Sequence, residues 1–331
     1  MAPLVTVAIP VYKRLGYLPG ALRSVAAQDY PEIELIVSDN GEHGATLDAL
    51  VAAHYPRPYR LRRNQRSVPI VEHFNQLIDS ASGVYYAMLS DDDEISPTFI
   101  GELVRLLERY PEATAALARV EAFSEDGARV LAATDDAPLP PELMSGMAFV
   151  RAWCTHQHKF ISFTTNLSRT ADLRAAGGYP PIERANGSDN ALLIKQSLGR
   201  AIAFSARCTF RHRMHATSFG KAAEIESLAR SSRQFLAWLA EDPGLRAWGQ
   251  QHAAEYAELR ELAAGLAYGT YLARWRGLYR GQISGLRWVL AGFRLPFHPR
   301  YTRQAAATVL YSLPGLDRLA RRHKRPRLAN R

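Results

Sequence analysis

Short apolar runs rich in β-branched residues alternate with helix-patterned stretches from the start of the chain to about residue 120, and that alternation leaves few folds open. Runs of this kind bury both faces of a strand, and helices lying between them cover a parallel sheet. The runs are residues 4–9, ended by Pro10, then 33–37 and 84–89, with 59–62 a short candidate strand between the last two. Leu18, Leu22, Val25 and Ala26 share one face of a helix that runs from about Pro19 to the break at Asp29-Tyr30-Pro31. A second helix covers 45–54, and Pro69 opens a third through Ile70, Phe74, Leu77 and Ile78. Residues 98–110 form an amphipathic helix, and 113–123 and 129–132 read as strands joined at Ser124-Glu125-Asp126-Gly127. The expected class is α/β, a mostly parallel sheet flanked by helices.

In an open α/β sheet, ligands bind beyond the carboxyl ends of the strands. Three successive strand ends here carry Pro10-Val11-Tyr12-Lys13-Arg14, Asp39-Asn40 and Asp91-Asp92-Asp93, so one crevice can collect all three. Adjacent carboxylates repel at the end of a buried strand, and the run Ser90-Asp91-Asp92-Asp93-Glu94 suits a divalent cation. A hard cation held this way keeps waters and accepts phosphate oxygens, which points to a diphosphate substrate. The competing reading is a solvated acidic turn opening the helix at Pro97, where negative charge suits the macrodipole. The Gly-rich dinucleotide fingerprint and the phosphate loop ending in Lys-Ser/Thr do not occur, which argues against a standard dehydrogenase or nucleoside triphosphatase.

These residues, in this order, resemble the family-2 glycosyltransferases with a GT-A fold, of the bacterial surface-polysaccharide type. The matching text is residues 5–12, 22–28, Glu34 through Gly41, and 87–100 with Ser96-Pro97-x-Phe99; the resemblance extends over roughly residues 4–218. It implies a nucleotide-sugar donor (a UDP-, dTDP- or GDP-sugar) and a divalent metal, Mn²⁺ or Mg²⁺. By position, Pro10 and Tyr12 line the base and ribose pocket, and Asp39 accepts a hydrogen bond from the pyrimidine ring. For Asp39 the alternative is a turn-forming Asp-Asn-Gly. Family members often read Leu-Asp-x-Asp-Asp where this chain has Ser90 at the first aspartate, so the metal motif is either Ser90-Asp91-Asp92 or Asp91-Asp92-Asp93. Asp92 belongs to both and is the expected direct ligand, with Asp91 or Asp93 acting through ribose or a metal-bound water.

Further along, 161–167 resembles the strand before the family's acceptor region, and Gly177-Gly178-Tyr179 ends the next helix. Gly187-Ser188-Asp189-Asn190 precedes a helical run through Leu192, Leu193, Lys195 and Leu198. Ser188 reads as its N-cap, and Asp189 either complements the helix dipole or, as the resemblance implies, is the catalytic base of an inverting transfer, with Glu183 as the substitute. The stretch from Phe210 to Ser218 is similar to the family's aromatic-Arg-x-x-x-His-x-x-Ser pattern, which makes His215, ahead of His212, a candidate metal ligand beside Asp92 and Asp93. Arg211 or Arg213 would then neutralise the leaving diphosphate.

With 331 residues, 47% hydrophobic and 22% charged, the chain has the material for one main domain and an appendage: 1–220, the catalytic domain, and 221–331, a helical C-terminal region. Helical periodicity marks 222–239 and 251–272 within the latter. Residues 271–331 hold 14 Lys and Arg against the single acid Asp317, a net of +13 within the whole chain's +9. Tyr271, Trp275, Tyr279, Trp288 and Phe293 are interleaved with that charge, which suits an anionic lipid surface; nucleic acid and a plain basic helix face are the alternatives. The two cysteines, Cys154 and Cys208, suggest neither a disulfide framework nor zinc, and a reducing cytosol fits them. The N-terminus reads as a first strand and not a secretion signal, and no apolar stretch reaches membrane-spanning length. The expectation is therefore a cytoplasmic, metal-assisted glycosyltransferase at the inner face of the membrane, acting on a saccharide or lipid-linked acceptor. A nucleotidyltransferase and a non-catalytic membrane-surface binding protein are the competing classes.

Overall fold

The computed structural model describes residues 1–133, 138–155, 157, 166–215, 224–274 and 285–292, with 295, 298, 299, 305 and 306. Among these, the first half builds β1 (Val5–Val11), α1 (Leu18–Ala26), β2 (Ile33–Asp39), α2 (Ala45–His54), β3 (Tyr59–Arg63), α3 (Ile70–Ser80), β4 (Tyr85–Met88), β5 (Glu94–Ile95) and α4 (Phe99–Arg109). The second half supplies β6 (Ala113–Ser124), β7 (Val130–Ala133), β8 (Leu143–Ser145), α5 (Gly146–Cys154), β9 (Asn166–Arg169), α6 (Thr170–Ala175), α7 (Ser188–Ser197) and β10 (Ala201–Met214). Helices α8 (Ile225–Glu241), α9 (Pro243–Gln251), α10 (Ala253–Arg274) and α11 (Gly285–Gly292) follow.

One sheet runs in the order β3-β2-β1-β4-β9-β6-β10-β5, with β7 on β6 and β8 on β10. Strands β3, β2, β1 and β4 are parallel, as the alternation implied. The other half is mixed: β9 lies antiparallel between β4 and β6, while β6 and β10 are parallel. Period-two burial explains the two-sided cover. Val7, Ile9, Leu35, Val37, Tyr85 and Ala87 pack under α1, α2 and α4. Their neighbours Ala8, Ile36, Tyr86 and Met88 face α3, α6 and α7 on the other side.

Pro10 does not end β1, which continues to Val11 with Pro10 opposite Ser38. Ala8 O accepts from Leu89 N, so alternate residues of β1 face β4. Pro10, two residues on, turns its missing N–H to the side where the β4 ladder has ended at Met88, and nothing is lost. The 14-residue β10 was not anticipated. Arg211 and Arg213 give it the look of a loop, but their guanidinium groups stack on the Phe123 ring at 4.5 and 4.4 Å, which makes a strand position tolerable.

The expected boundary at 220/221 falls among residues outside the described set. Beyond it, Phe235, Leu239, Leu245, Leu259 and Ala263 of α8, α9 and α10 share one hydrophobic cluster with α5, α7, β6 and β10. The C-terminal helices are thus packed onto the sheet. No described helix is long and apolar enough to cross a membrane. Most of the basic tail and most of the strand expected at 161–167 lie outside the described residues; β9 takes up the end of the latter.

Candidate active site

Three strand ends meet through one guanidinium. Arg14, three residues after the end of β1, donates from Nη2 to Asp92 Oδ2 at 3.2 Å, and its Nη1 lies 3.2 Å from His215 Nδ1. His215 Nε2 is 2.9 Å from the same Asp92 oxygen. The loops after β1, β4 and β10 therefore converge, as the strand-end rule requires. His215 is buried against the Tyr17 ring, with centroids 4.9 Å apart. Tyr12, two residues before Arg14, is 44% exposed, with Lys13 Nζ 5.1 Å from its ring centroid.

Asp93 points its chemistry elsewhere. Its Oδ1 accepts from Arg213 N at 2.9 Å and lies 3.1 Å from His212 Nδ1, and the residue is 3% exposed. The carboxylate fastens the acidic turn to β10, so of the expected metal ligands the structure brings together Asp92 and His215 and sets Asp93 apart. Asp91 feels both neighbouring carboxylates and Arg14. Burial, then the charges of Asp92 and, less strongly, Asp93, push its carboxyl up to about 7, with Arg14 pulling the other way.

Arg211 is engaged within the protein. Its Nε donates to Glu121 at 2.9 Å and its Nη1 to Glu94 at 2.6 Å. Arg213 donates to the Asp92 carbonyl, the Glu125 carbonyl and Glu94. Both arginines build the platform beneath the acidic turn, and Arg14 is the cation placed against Asp92. Sequence reasoning included Arg14 in the first loaded strand end without giving it a role; its position four residues after Pro10 was the available signal.

Asp39 is 2% exposed, and the loop behind it takes up both oxygens. Oδ1 accepts from Gly41 N at 2.9 Å and sits 2.9 Å from His43 Nδ1, while Oδ2 accepts from His43 N at 2.8 Å and Gly44 N at 3.2 Å. Burial pushes this carboxyl up, but the His43 ring and three backbone N–H groups outweigh it and hold it below the usual range. Gly41 is needed for close approach: a Cβ there would lie 1.6 Å from Tyr12 O. The turn reading of Asp39 is therefore realised, and through Gly41 the turn props the Tyr12 loop.

Asp189 lies in the first turn of α7. Gly187, at φ +95°, caps the helix in place of Ser188, whose Oγ donates to Pro180 O at 2.8 Å. The residue is half-buried, and burial pushes its carboxyl up to about 6, only partly offset by backbone N–H groups including Asn190 N at 2.9 Å. Leu192, one turn on, packs in the cluster that holds Met88, so α7 abuts the end of β4. Glu183, the substitute base, accepts from Arg230 and Ser227, which hold its carboxyl below the usual range despite burial.

Asp92 and His215 supply donor types that a divalent cation takes, a carboxylate oxygen and an imidazole nitrogen, and a cation held there would displace the Arg14 guanidinium, which now bonds the same Asp92 oxygen and lies 3.4 Å from His215 Nε2. Among the described residues no group of three or more His, Cys, Asp or Glu is placed to hold a metal, so the remaining ligands would come from phosphate and water.

Fold and site together define a GT-A-type glycosyltransferase scaffold. The likeness extends to S. aureus TarS residues 1–349 in complex with UDP-GlcNAc (TM-score 0.59, 14% identity, 94% of this chain and 82% of that one). It extends also to the mannosyltransferase PcManGT from Pyrobaculum calidifontis in complex with GDP-Man and Mn²⁺ (TM-score 0.54, 15% identity, 94% and 86%). The pattern of glycosyl transferase family 2 matches residues 6–172, half of the chain, and the chain belongs to that family. Relatives include an uncharacterized protein of Mycobacterium tuberculosis, 30% identical over 135 residues (39% of this chain, 37% of the relative). The putative glycosyltransferase EpsE of Bacillus subtilis is 24% identical over 184 residues (55% and 62%). The GalNAc(5)-diNAcBac-PP-undecaprenol beta-1,3-glucosyltransferase of Campylobacter jejuni is 30% identical over 113 residues (33% and 35%). The chain thus spans between about a third and three fifths of the length of these curated relatives.

Proposed function

We propose that this protein transfers a sugar, with inversion, from a nucleoside-diphosphate donor to a hydroxyl of a saccharide or lipid-linked acceptor. The observation that carries the proposal is the Arg14–Asp92–His215 knot, which puts a cation, a carboxylate and an imidazole at three converging strand ends beside the exposed Tyr12 ring. Family membership and the nucleotide sugars named for the two structural neighbours support it. Pro10 and Tyr12 border the base and ribose, Asp39 supports them through its turn, and Asp91 takes the ribose. Asp92 and His215 would hold Mn²⁺ or Mg²⁺, which when bound neutralises diphosphate charge as a Lewis acid.

Asp189 accepts the proton of the acceptor hydroxyl. The hydroxyl oxygen then bonds to the anomeric carbon from the face opposite the diphosphate, and the bond to the diphosphate oxygen breaks with its electron pair. One displacement inverts the centre. Arg14 offers the departing diphosphate a fixed positive charge, and Asp93, Arg211 and Arg213 keep the acidic turn in place.

A panel of UDP-, dTDP- and GDP-sugars with Mn²⁺, scored by thermal shift, tests donor binding directly. At least one should raise the midpoint, and Asp92→Asn should abolish that rise more completely than Asp91→Asn or Asp93→Asn. No rise with any donor, or equal and mild effects of the three variants, would remove the donor and metal assignments. The nucleotidyltransferase alternative predicts binding of a nucleoside triphosphate with pyrophosphate release.

The basic aromatic tail extends the proposal to peripheral contact with the inner face of the cell membrane, where a lipid-linked acceptor would lie; the Campylobacter relative is named for such a substrate. The full chain should co-sediment with phosphatidylserine vesicles at low salt and be released at high salt. Equal binding to neutral vesicles would remove the electrostatic part.

A further inference from the structure

A clip from the C-terminal helices grips the turn that leads into α7 and Asp189. Ser227, Arg230 and Gln234 lie on one face of α8 at spacings of three and four. Arg230 donates from Nε and Nη2 to the two carboxylate oxygens of Glu183 at 2.7 and 2.8 Å, and Ser227 Oγ donates to Oε1 at 2.8 Å. Gln234 Oε1 accepts from Glu183 N at 2.6 Å. Backbone and side chain of one residue are thus held by a single helix face.

The turn held this way is one that resists its own conformation. Arg184 and Ala185 both adopt φ +55°, a left-handed backbone that non-glycine residues enter only where the surroundings impose it. The opposite side of the loop is pinned by Asn75 of α3, which donates to Tyr179 O at 2.9 Å and accepts from Tyr179 N at 2.7 Å. Beyond the second anchor the chain passes Gly187, where an added Cβ would lie 3.8 Å from Phe235 of α8, and enters α7 at Ser188 with Asp189 next.

The Arg230 side chain is 49% exposed, and an exposed ion pair contributes little to global stability. Its local effect is of another kind: it fixes where a loop turns. We infer that the Glu183–Arg230 clip, with Ser227 and Gln234, is a positioning device through which α8 sets the place and enclosure of Asp189. This rests on the proposal that Asp189 is the general base. It makes the C-terminal helices part of the catalytic apparatus, and Arg230 a positioning residue.

Among the described residues, the ionisable side chain that feels the Asp189 charge is Tyr179, kept neutral because burial and that charge push its hydroxyl well up. Asp189 titration therefore reports enclosure. The test is a pH titration of the full chain labelled with ¹³C at aspartate carboxyls, the Asp189 resonance being the one missing from Asp189→Asn. In the wild type it should titrate at about 6. In Arg230→Ala it should move towards the ordinary value of about 4, and Arg230→Lys should lie between. A folded Arg230→Ala in which Asp189 still titrates at about 6 overturns the inference. Should Arg230→Ala fail to fold, Gln234→Ala removes one neutral bond to the same turn: a smaller shift in the same direction supports the inference, and none overturns it. Loss of the base proposal would show differently, as full transfer activity in Asp189→Asn, with the titration result standing by itself.

Discussion

The turn after β2 and the turn before α7 each enclose an aspartate, and they treat it in opposite ways. Around Asp39, three backbone N–H groups and the His43 ring outweigh burial and hold the carboxyl low. Around Asp189, burial dominates and lifts the carboxyl to about 6. Burial alone does not decide the chemistry of a carboxylate; the donors aimed at it do. Asp39 is built to stay charged and hold a loop. Asp189 is built to exchange a proton near neutral pH, the requirement for a general base.

The largest expected effect separates the two turns. Asp189→Asn should lower transfer by about 100- to 10,000-fold with the donor midpoint shift intact, since a lost general base costs that much. The same variant should be more stable at pH 7, by up to about 3 kcal/mol, because a raised folded pKa means the ionised carboxylate opposes folding there. Wild-type rate should fall as pH drops through about 6, where the base becomes protonated. Asp39→Asn should do the reverse: lose stability at pH 7, measured by urea midpoint, with a smaller loss of rate. If both variants lost stability and rate together, the distinction between the turns would collapse.

The two turns also differ in how far sequence could see them. The parallel half of the sheet was legible because β1, β4 and most of β2 are buried apolar runs and helices α1, α3 and α4 carry period-3.6 faces. The loaded strand ends were legible for the same reason, since position at the end of a strand fixes where a residue sits. The division of labour within them was not. Asp93 and Asp92 are adjacent, yet one faces β10 and the other faces Arg14 and His215, and this follows from a strand whose alternation is masked by Arg211 and Arg213. The clip on Glu183 joins residues 44 and 47 positions apart, and no local pattern announces it.

A smaller effect sharpens the comparison from below β2. His73 of α3 is 2% exposed, with Nε2 2.8 Å from Ser38 Oγ, next to Asp39 in sequence. Burial lowers its pKa to about 4, with Arg62 adding to the shift and Asp39 opposing it. The unfolded chain binds a proton at this site from about pH 6.5 downward, and the folded protein only near 4, so stability falls with pH across that window. At pH 4 the loss amounts to about 3 kcal/mol relative to pH 7. Asp189 works against it, since a raised carboxyl gains stability on acidification over an overlapping range. Wild-type stability alone therefore hides both. Measured by urea midpoints at pH 7 and pH 4, His73→Gln should lose less stability on acidification than wild type, and Asp189→Asn should lose more. Equal losses in His73→Gln and wild type would show that the region beneath Asp39 admits a charged imidazole, and that the protection of Asp39 comes from its turn and not from a dry interior.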